Sequence, residues 1–497
     1  MTPPVSSTTT PRVSTTVVAD ATAAARAAAA PLARDPLAVR AGRLRTAADA
    51  LDAHATEIVA RADAETHLGP TRLTGELART TGQLRLFADA VEEGSFLDVT
   101  IDHADPKAVP VPRPDVRRVM RPLGPVAVFA ASNFPLAFSV AGGDTASALA
   151  AGCPVVVKAH EGHPRLSDLV GQVLAEVLPP GAVTVLHGRA AGRELVTDPA
   201  VRAVGFTGSE AGGRALFDLA TTGRPDPIPF YGELGSVNPV VVTPGVVAAR
   251  GAAVAAAYVT SYTLGLGQFC TKPGLLFLPA GHGLEPALVD AVRNVASGPL
   301  LGEWIRGGFD EAVTALAAVP GVRSLLAPTA GTGITATPAL LAMPAARFLA
   351  EPAAARECFG PASLVVEYAD PAELLAALNA VPGALTATVH TEPGRDVDLV
   401  RALLDVASER AGRVVFNGWP TGVAVTWAMH HGGPWPATTA PLHTSVGVAA
   451  IRRFLRPIAY QDVPAELLPE ALHDANPLRL PRRVNGVLVP RPGTSSV

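Results

Sequence analysis

Between residues 126 and 220 short apolar runs alternate with helical segments, and this alternation constrains the fold of the 497-residue chain more than any other feature. Strands read over 126–130, 155–157, 183–186 and 204–206, each followed by a helical segment, over 145–151, 167–177, 193–195 and 212–220. Runs of Val, Ala and Phe bounded in this way are buried on both faces, and helical crossovers between them force parallel pairing. The expectation is a doubly wound α/β domain. A second alternating block, with strands at 240–242, 275–278, 363–366, 386–390 and 414–416, requires a sheet of its own. The chain opens with Ala/Leu/Arg-rich helices over 17–65 and 73–93, and a Pro-rich extended arm occupies 96–115. Near the end, VNGVLV at 484–489 reads as a strand paired outside its own domain.

Composition excludes several classes. Charged residues make up 17% against 48% hydrophobic, the opposite of a disordered chain, and the net charge of −4 leaves no positive excess for a nucleic-acid backbone. Residues 122–143 carry no charge for 22 positions, but Pro122, Pro125, Pro135 and the polar Ser132-Asn133 would break a membrane helix, so strand, loop and helix start are expected there. The Ser/Thr/Pro-rich residues 1–16 lack the basic and apolar regions of a secretion signal and read as a flexible tail. Three cysteines without metal or disulfide spacing suit a reducing cytoplasm and argue against a metal site.

Only three lysines stand beside 37 arginines, so each lysine draws notice. Lys158 closes the strand PVVV, where the carboxyl end of a parallel strand opens on the ligand crevice, although a surface lysine would read alike. GFTGS at 205–209 followed by EAGGRALFDLA is a strand-to-helix turn whose free N–H groups suit a pyrophosphate, with Gly208, Ser209 and Gly213 supplying the small residues, or else a tight turn without a ligand. Cys270 in LGLGQFCTKPG could be a nucleophile if a helix end or a cation such as the neighbouring Lys272 stabilises its thiolate, or a buried thiol if not. Glu233, in the apolar PFYGELGSVNPVVV, has the surroundings that raise a carboxyl pKa toward general-base use, or it caps a helix or joins an ion pair. Asn133 offers an amide N–H to an oxyanion or sits in a turn, and Glu357 before CFGP could meet a ribose hydroxyl or serve as turn chemistry. His430 and His431 lie in a loop suited to lining a pocket.

Taken in order, SNFP, VVVK, FTGS, ELG, GQFC and ECFGP resemble the aldehyde dehydrogenase superfamily, and the segments at 65–90, 134–160 and 417–464 resemble its branch of α-ketoglutaric semialdehyde dehydrogenases and bacterial fatty aldehyde dehydrogenase. The resemblance implies a Rossmann-type cofactor domain over 17–95 and 116–233, an α/β catalytic domain over 234–443, and an oligomerisation arm and C-terminal segment over 96–115 and 444–497 that pair between subunits of a homodimer or homotetramer. It implies Cys270 as nucleophile, Glu233 as base and Asn133 in the oxyanion hole, with Lys158 and Glu161 at the adenosine ribose, Gly208, Ser209 and Gly213 at the pyrophosphate, and Glu357 with Phe359 at the nicotinamide ribose. The implied reaction oxidises a small-molecule aldehyde to a carboxylic acid through a thiohemiacetal and a thioester. An ω-oxo acid such as 2,5-dioxopentanoate is one expected substrate, and an apolar, long-chain aldehyde is the other. Glu161 favours NAD over NADP, because a carboxylate accepts from a ribose hydroxyl and repels a 2′-phosphate. The branch's arginine and threonine before TSVG are replaced by Leu442 and His443, which with Trp427 and Trp435 suggests an apolar pocket. A cofactor-independent cysteine acyl-transferase or hydrolase would instead need a histidine partner for the cysteine, with His187 and His443 the candidates, and a non-catalytic scaffold is the remaining reading.

Overall fold

The computed structural model describes residues 15–329 and 331–493. The tail expected over 1–16 lies outside them, apart from the start of the helix Thr15–Arg34. Three large sheets organise the described residues, beside a two-stranded pair of Gly298–Pro299 with Thr335–Ala336. The first is the expected doubly wound sheet, with strands in the spatial order Val183–Leu186, Val155–Lys158, Val126–Phe129, Ala203–Thr207 and Phe230–Glu233, all parallel. Val155, Val156 and Val157 are each 0% exposed, and burial of such side chains stabilises by about 1.5–3 kcal/mol apiece. The chain leaves Val126–Phe129 first to one side and then to the other, so the strand order reverses there and a crevice opens at the carboxyl ends. The uncharged stretch 122–143 resolves into the strand Val126–Phe129, a loop and the start of the helix Gly143–Ala151, and among the described residues no helix is long and apolar enough to cross a membrane.

The second sheet has seven strands, ordered Arg323–Leu326, Ala339–Pro344, Ala362–Tyr368, Leu275–Pro279, Pro239–Val242, Ala384–His390 and Ala411–Phe416, parallel except for the first pair. Ala339–Pro344 is a fully formed strand that the sequence reading passed over, because its ALLAMP run continues into the helix Ala345–Ala350 without a turn residue other than Pro344.

The third sheet collects the stray extended segments, ordered Leu455–Gln461, Val116–Pro122, Thr100–Asp102, Arg482–Val484 and Val487–Val489. Within one chain the arm therefore pairs with the C-terminal segment, Thr100–Asp102 running parallel to Arg482–Val484. Val116–Pro122, which the reading placed with the cofactor domain, pairs here with Thr100–Asp102 and Leu455–Gln461. The first and second units meet where Leu234 N–H donates to Ala437 O at 2.8 Å and Thr439 N–H to Gly232 O at 3.0 Å.

Candidate active site

A cavity of about 810 Å³, counted with its open mouth, lies at the carboxyl ends of the first sheet. Asn133 comes from the loop after Val126–Phe129, Thr207, Gly208 and Ser209 from the end of Ala203–Thr207, and Glu233 from the end of Phe230–Glu233. The chain beyond residue 234 adds Cys270, Ile305, Glu357, Phe359 and His431. Seven of the ten residues expected at the site thus line one cavity: Asn133, Gly208, Ser209, Glu233, Cys270, Glu357 and Phe359.

The loop that carries Cys270 is held from both sides. Gly265, Leu266 and Gly267 all have left-handed φ, +54°, +53° and +66°. At Gly267 a Cβ would fall 2.2 Å from the Gly360 carbonyl oxygen, so glycine alone lets the GQFC and ECFGP loops touch. Asn238 donates its side-chain amide to the carbonyls of Cys270 at 2.8 Å and Lys272 at 2.9 Å. Asn133 donates from Nδ2 to Gln268 O at 3.0 Å, which leaves its second amide hydrogen for another acceptor, and its own carbonyl accepts from Arg72 Nη2 at 2.6 Å.

Burial pushes the Cys270 thiol up to about 12, with Glu233 and Glu357 adding to the rise and Arg79 opposing it. The cation expected to help, Lys272, is absent from this balance. Its Nζ donates to the Cys358 and Ala362 carbonyls at 2.6 and 2.8 Å, and it holds the ECFGP loop instead. A resting Cys270 is consequently a thiol that needs a base. Burial raises Glu233 well above the ordinary carboxylate range, reinforced by Asp144 and opposed by Arg453 and the Thr438 hydroxyl. Glu233 Oε2 is sealed from solvent without a hydrogen-bond partner, an arrangement that is costly unless a ligand or water meets it. Glu357 is pushed up to about 7, chiefly by burial, against the pull of Lys272.

The histidine beside Cys270 is His431, whose Nε2 lies 3.7 Å from Cys270 Sγ. Burial, with Arg413, Arg79 and His430, lowers it to about 3, so it stays neutral and is a poor proton acceptor. His187 is instead on the surface against Asp168, and His443 packs edge-on against Tyr231, so neither candidate pairs with the cysteine. The apolar pocket expected from Trp427, Trp435 and Leu442 is also built differently. These three are 50%, 46% and 93% exposed, and the apolar lining comes from Phe134, Phe138, Ile305 and Phe359. Arg72, Gln268 and Asn238 escaped sequence reasoning because each works through backbone carbonyls, a role that side-chain spacing does not signal.

Lys158 ends its strand with Nζ 2.5 Å from Glu161 Oε1, so these two expected cofactor residues form one pair beside the crevice rather than lining the cavity. At the helix Glu210–Thr221, Ser209 Oγ caps Gly212 N–H and Gly213 N–H bonds Ser209 O. Gly208 N–H is engaged by Glu233 O at 3.1 Å, so the donors left at this helix start are those of Glu210 and Ala211. Gly213 is off the cavity, and a Cβ there would fall 2.2 Å from Leu234 Cδ2, which makes it the residue that lets helix and strand approach. A cation at one strand end, a helix start with open donors and a carboxyl of near-neutral pKa next to Phe359 fit the ribose, pyrophosphate and nicotinamide ends of a dinucleotide.

Residues 5–434 match the model of the aldehyde dehydrogenase family, and the chain belongs to that family: it is an NAD(P)-dependent aldehyde dehydrogenase. It is 50% identical to alpha-ketoglutaric semialdehyde dehydrogenase 2 of Azospirillum brasilense, over 91% of this chain and 88% of that one. Identity to the alpha-ketoglutaric semialdehyde dehydrogenase of Acinetobacter baylyi is 46%, over 85% of this chain and 82% of that one. Aldehyde dehydrogenase C of Pseudomonas syringae, solved as a variant with NAD+ and octanal, shares the fold, with a TM-score of 0.75 over 90% of this chain and 89% of that one at 21% identity.

Proposed function

We propose that the enzyme oxidises an ω-oxo carboxylic acid, 2,5-dioxopentanoate (α-ketoglutaric semialdehyde) or a close analogue, to the dicarboxylate, with NAD preferred over NADP. The observation that carries the reading is the meeting of Cys270, Asn133 and a buried Glu233 with one unpartnered oxygen on one cavity in a chain half identical to an enzyme named for that substrate. Cys270 passes its proton to water at the cavity mouth as Sγ bonds the aldehyde carbon, and the resulting oxyanion accepts from the free Asn133 amide hydrogen and the Cys270 N–H. The bound dinucleotide supplies the hydride acceptor for the thiohemiacetal carbon. Glu233 then takes a proton from the water that attacks the thioester, and the carboxylic acid leaves as the thiol re-forms. Lys158, Glu161, Glu357 and Phe359 hold the two riboses, and Ser209 with the helix start it caps holds the pyrophosphate.

A long-chain aldehyde is the second reading, favoured by the Phe134, Phe138, Ile305 and Phe359 lining. Two or four copies assemble through the third sheet, whose edge strand leaves Val487 and Leu488 65% and 66% exposed. The test is kcat/KM for 2,5-dioxopentanoate, succinic semialdehyde, pentanal and decanal with each cofactor. Selectivity for the oxo acids supports the first reading, selectivity for decanal supports the second, and oxidation without cofactor reduction overturns both.

A further inference from the structure

The helix Pro70–Glu93 sets two arginines behind the aromatic rings of the cavity wall, and one of them has nothing to bind. Arg72 is engaged, donating to Asn133 O with its guanidinium carbon 4.8 Å from the centre of the Phe269 ring. Between the two, the buried Glu76 Oε1 accepts from Leu136 N–H at 2.8 Å and Ala137 N–H at 2.9 Å, which fastens the helix to the loop that carries Asn133. Arg79 is half-buried, with its guanidinium carbon 5.5 Å from the centre of the Phe138 ring and 5.9 Å from that of Phe134, both of which line the cavity. Among the described residues it makes no hydrogen bond or ion pair, and its Nε is sealed from solvent without a partner.

Other buried arginines differ. Arg40 and Arg224 bind backbone carbonyls, Arg117 binds Asp115 and Asp474, and Arg453 pairs with Asp144 at 2.8 Å. An unmet guanidinium is costly to bury, and among Arg72, Glu76 and Arg79 one positive charge is left over. That charge is felt at the reaction centre, where Arg79 acts on both Cys270 and His431.

We propose that Arg79 binds the distal carboxylate of the ω-oxo acid whose aldehyde carbon sits at Cys270, the chain of the substrate lying along Phe134 and Phe138. This inference rests on the oxo-acid reading above. A guanidinium fork matches a carboxylate in two parallel hydrogen bonds, which would supply the partner that Arg79 lacks. It also replaces the arginine missing at Leu442, a position that is 93% exposed and off the cavity lining.

The test compares 2,5-dioxopentanoate with pentanal in the wild type, Arg79→Met and Arg79→Lys, alongside protection of Cys270 from iodoacetamide by the dicarboxylate product without cofactor. Arg79→Met should lose roughly 10- to 150-fold in kcat/KM for the oxo acid, mainly through KM, the range for a hydrogen bond to a charged group. Its preference over pentanal should collapse, and protection by the dicarboxylate should weaken by a similar factor. Arg79→Lys should fall between. An Arg79→Met enzyme that keeps its oxo-acid preference and its protection overturns the assignment while leaving the substrate reading intact. A wild type without oxo-acid preference overturns the substrate reading and the assignment with it. Should Arg79→Met fail to fold, Arg79→Lys decides: a larger rise in KM for the oxo acid than for pentanal supports the proposal, and equal rises overturn it.

Discussion

Glu161 Oε1 accepts from Lys158 Nζ across three residues, which puts a carboxylate and an ammonium side by side at the end of the strand Val155–Lys158. Burial disfavours the Glu161 charge, but the Lys158 hydrogen bond and charge win and hold this carboxyl below its ordinary range, so it is ionised whenever a cofactor arrives.

The first prediction follows from that charge. A 2′-phosphate beside an ionised Glu161 meets repulsion of roughly 1–2 kcal/mol in a wet crevice, so the wild type should favour NAD over NADP about 5- to 30-fold in kcat/KM. Glu161→Thr frees Lys158 and should move the ratio toward NADP. An unchanged ratio in that variant would show that another residue selects the cofactor.

Cys270→Ala should abolish aldehyde oxidation and remove the site of iodoacetamide labelling under native conditions. Cys153, buried with Sγ 3.4 Å from Phe454 O, and Cys358, buried in the ECFGP loop, should be replaceable by Ala with activity retained. Mass spectrometry of the protein after brief exposure to an aldehyde and cofactor reads the acyl adduct directly, and an adduct on Cys153 or Cys358 would contradict the assignment.

Glu233→Gln removes the proposed base for thioester hydrolysis, so a rapid-mixing experiment should show a burst of reduced cofactor and then turnover slower by about 10²–10⁴. Because Glu233 is raised, wild-type kcat should climb with pH as its carboxylate forms, and this limb should vanish in the variant. His431, lowered to about 3, contributes no limb near neutrality. A wild-type limb that survives Glu233→Gln would place the base elsewhere.

Glu357 bears on stability. Its folded pKa, near 7, stands above that of the unfolded chain, so the protonated form is favoured on folding and this contribution is present below the ordinary carboxylate pKa and lost as pH rises to about 7. Glu357→Gln should therefore stabilise the fold at pH 8 by on the order of 1–3 kcal/mol, read as a higher Tm, and leave Tm nearly unchanged at pH 4.5. Calorimetry without cofactor measures both, and a lower Tm at pH 8 would mean that the ionised carboxyl is needed for folding.

Most of the cavity was legible from the chain because its residues sit where strands end. Thr207-Gly208-Ser209 and Glu233 each follow an apolar run of fixed direction, and the parallel sheet delivers them to one edge, with Lys158 beside them. What the sequence hid depends on contacts between distant segments. Lys272 looks like a partner for Cys270 two residues away, yet its amine reaches 86 and 90 residues onward to two carbonyls. His431 joins Cys270 across 161 residues, whereas His187 and His443 matched only by residue type. Arg79 lies in the 65–90 segment that carries the resemblance, but nothing in that segment marks its role, since its position on a helix facing Phe134 and Phe138 is set by the packing of the N-terminal helices.

The three lysines have a consequence for an enzyme that handles reactive carbonyl compounds. Free aldehydes condense with unprotonated amines, and a protein rich in surface lysine accumulates such adducts from its own substrate. Here Lys158 is 8% exposed and bonded to Glu161, Lys272 is 2% exposed and bonded to two carbonyls, and Lys107 in the Pro-rich arm is the one exposed lysine of the chain. The arginines that cover the rest of the surface keep their protons and do not form imines. Side-chain imine formation on the folded protein is thereby directed to Lys107, in the arm and off the lining of the cavity.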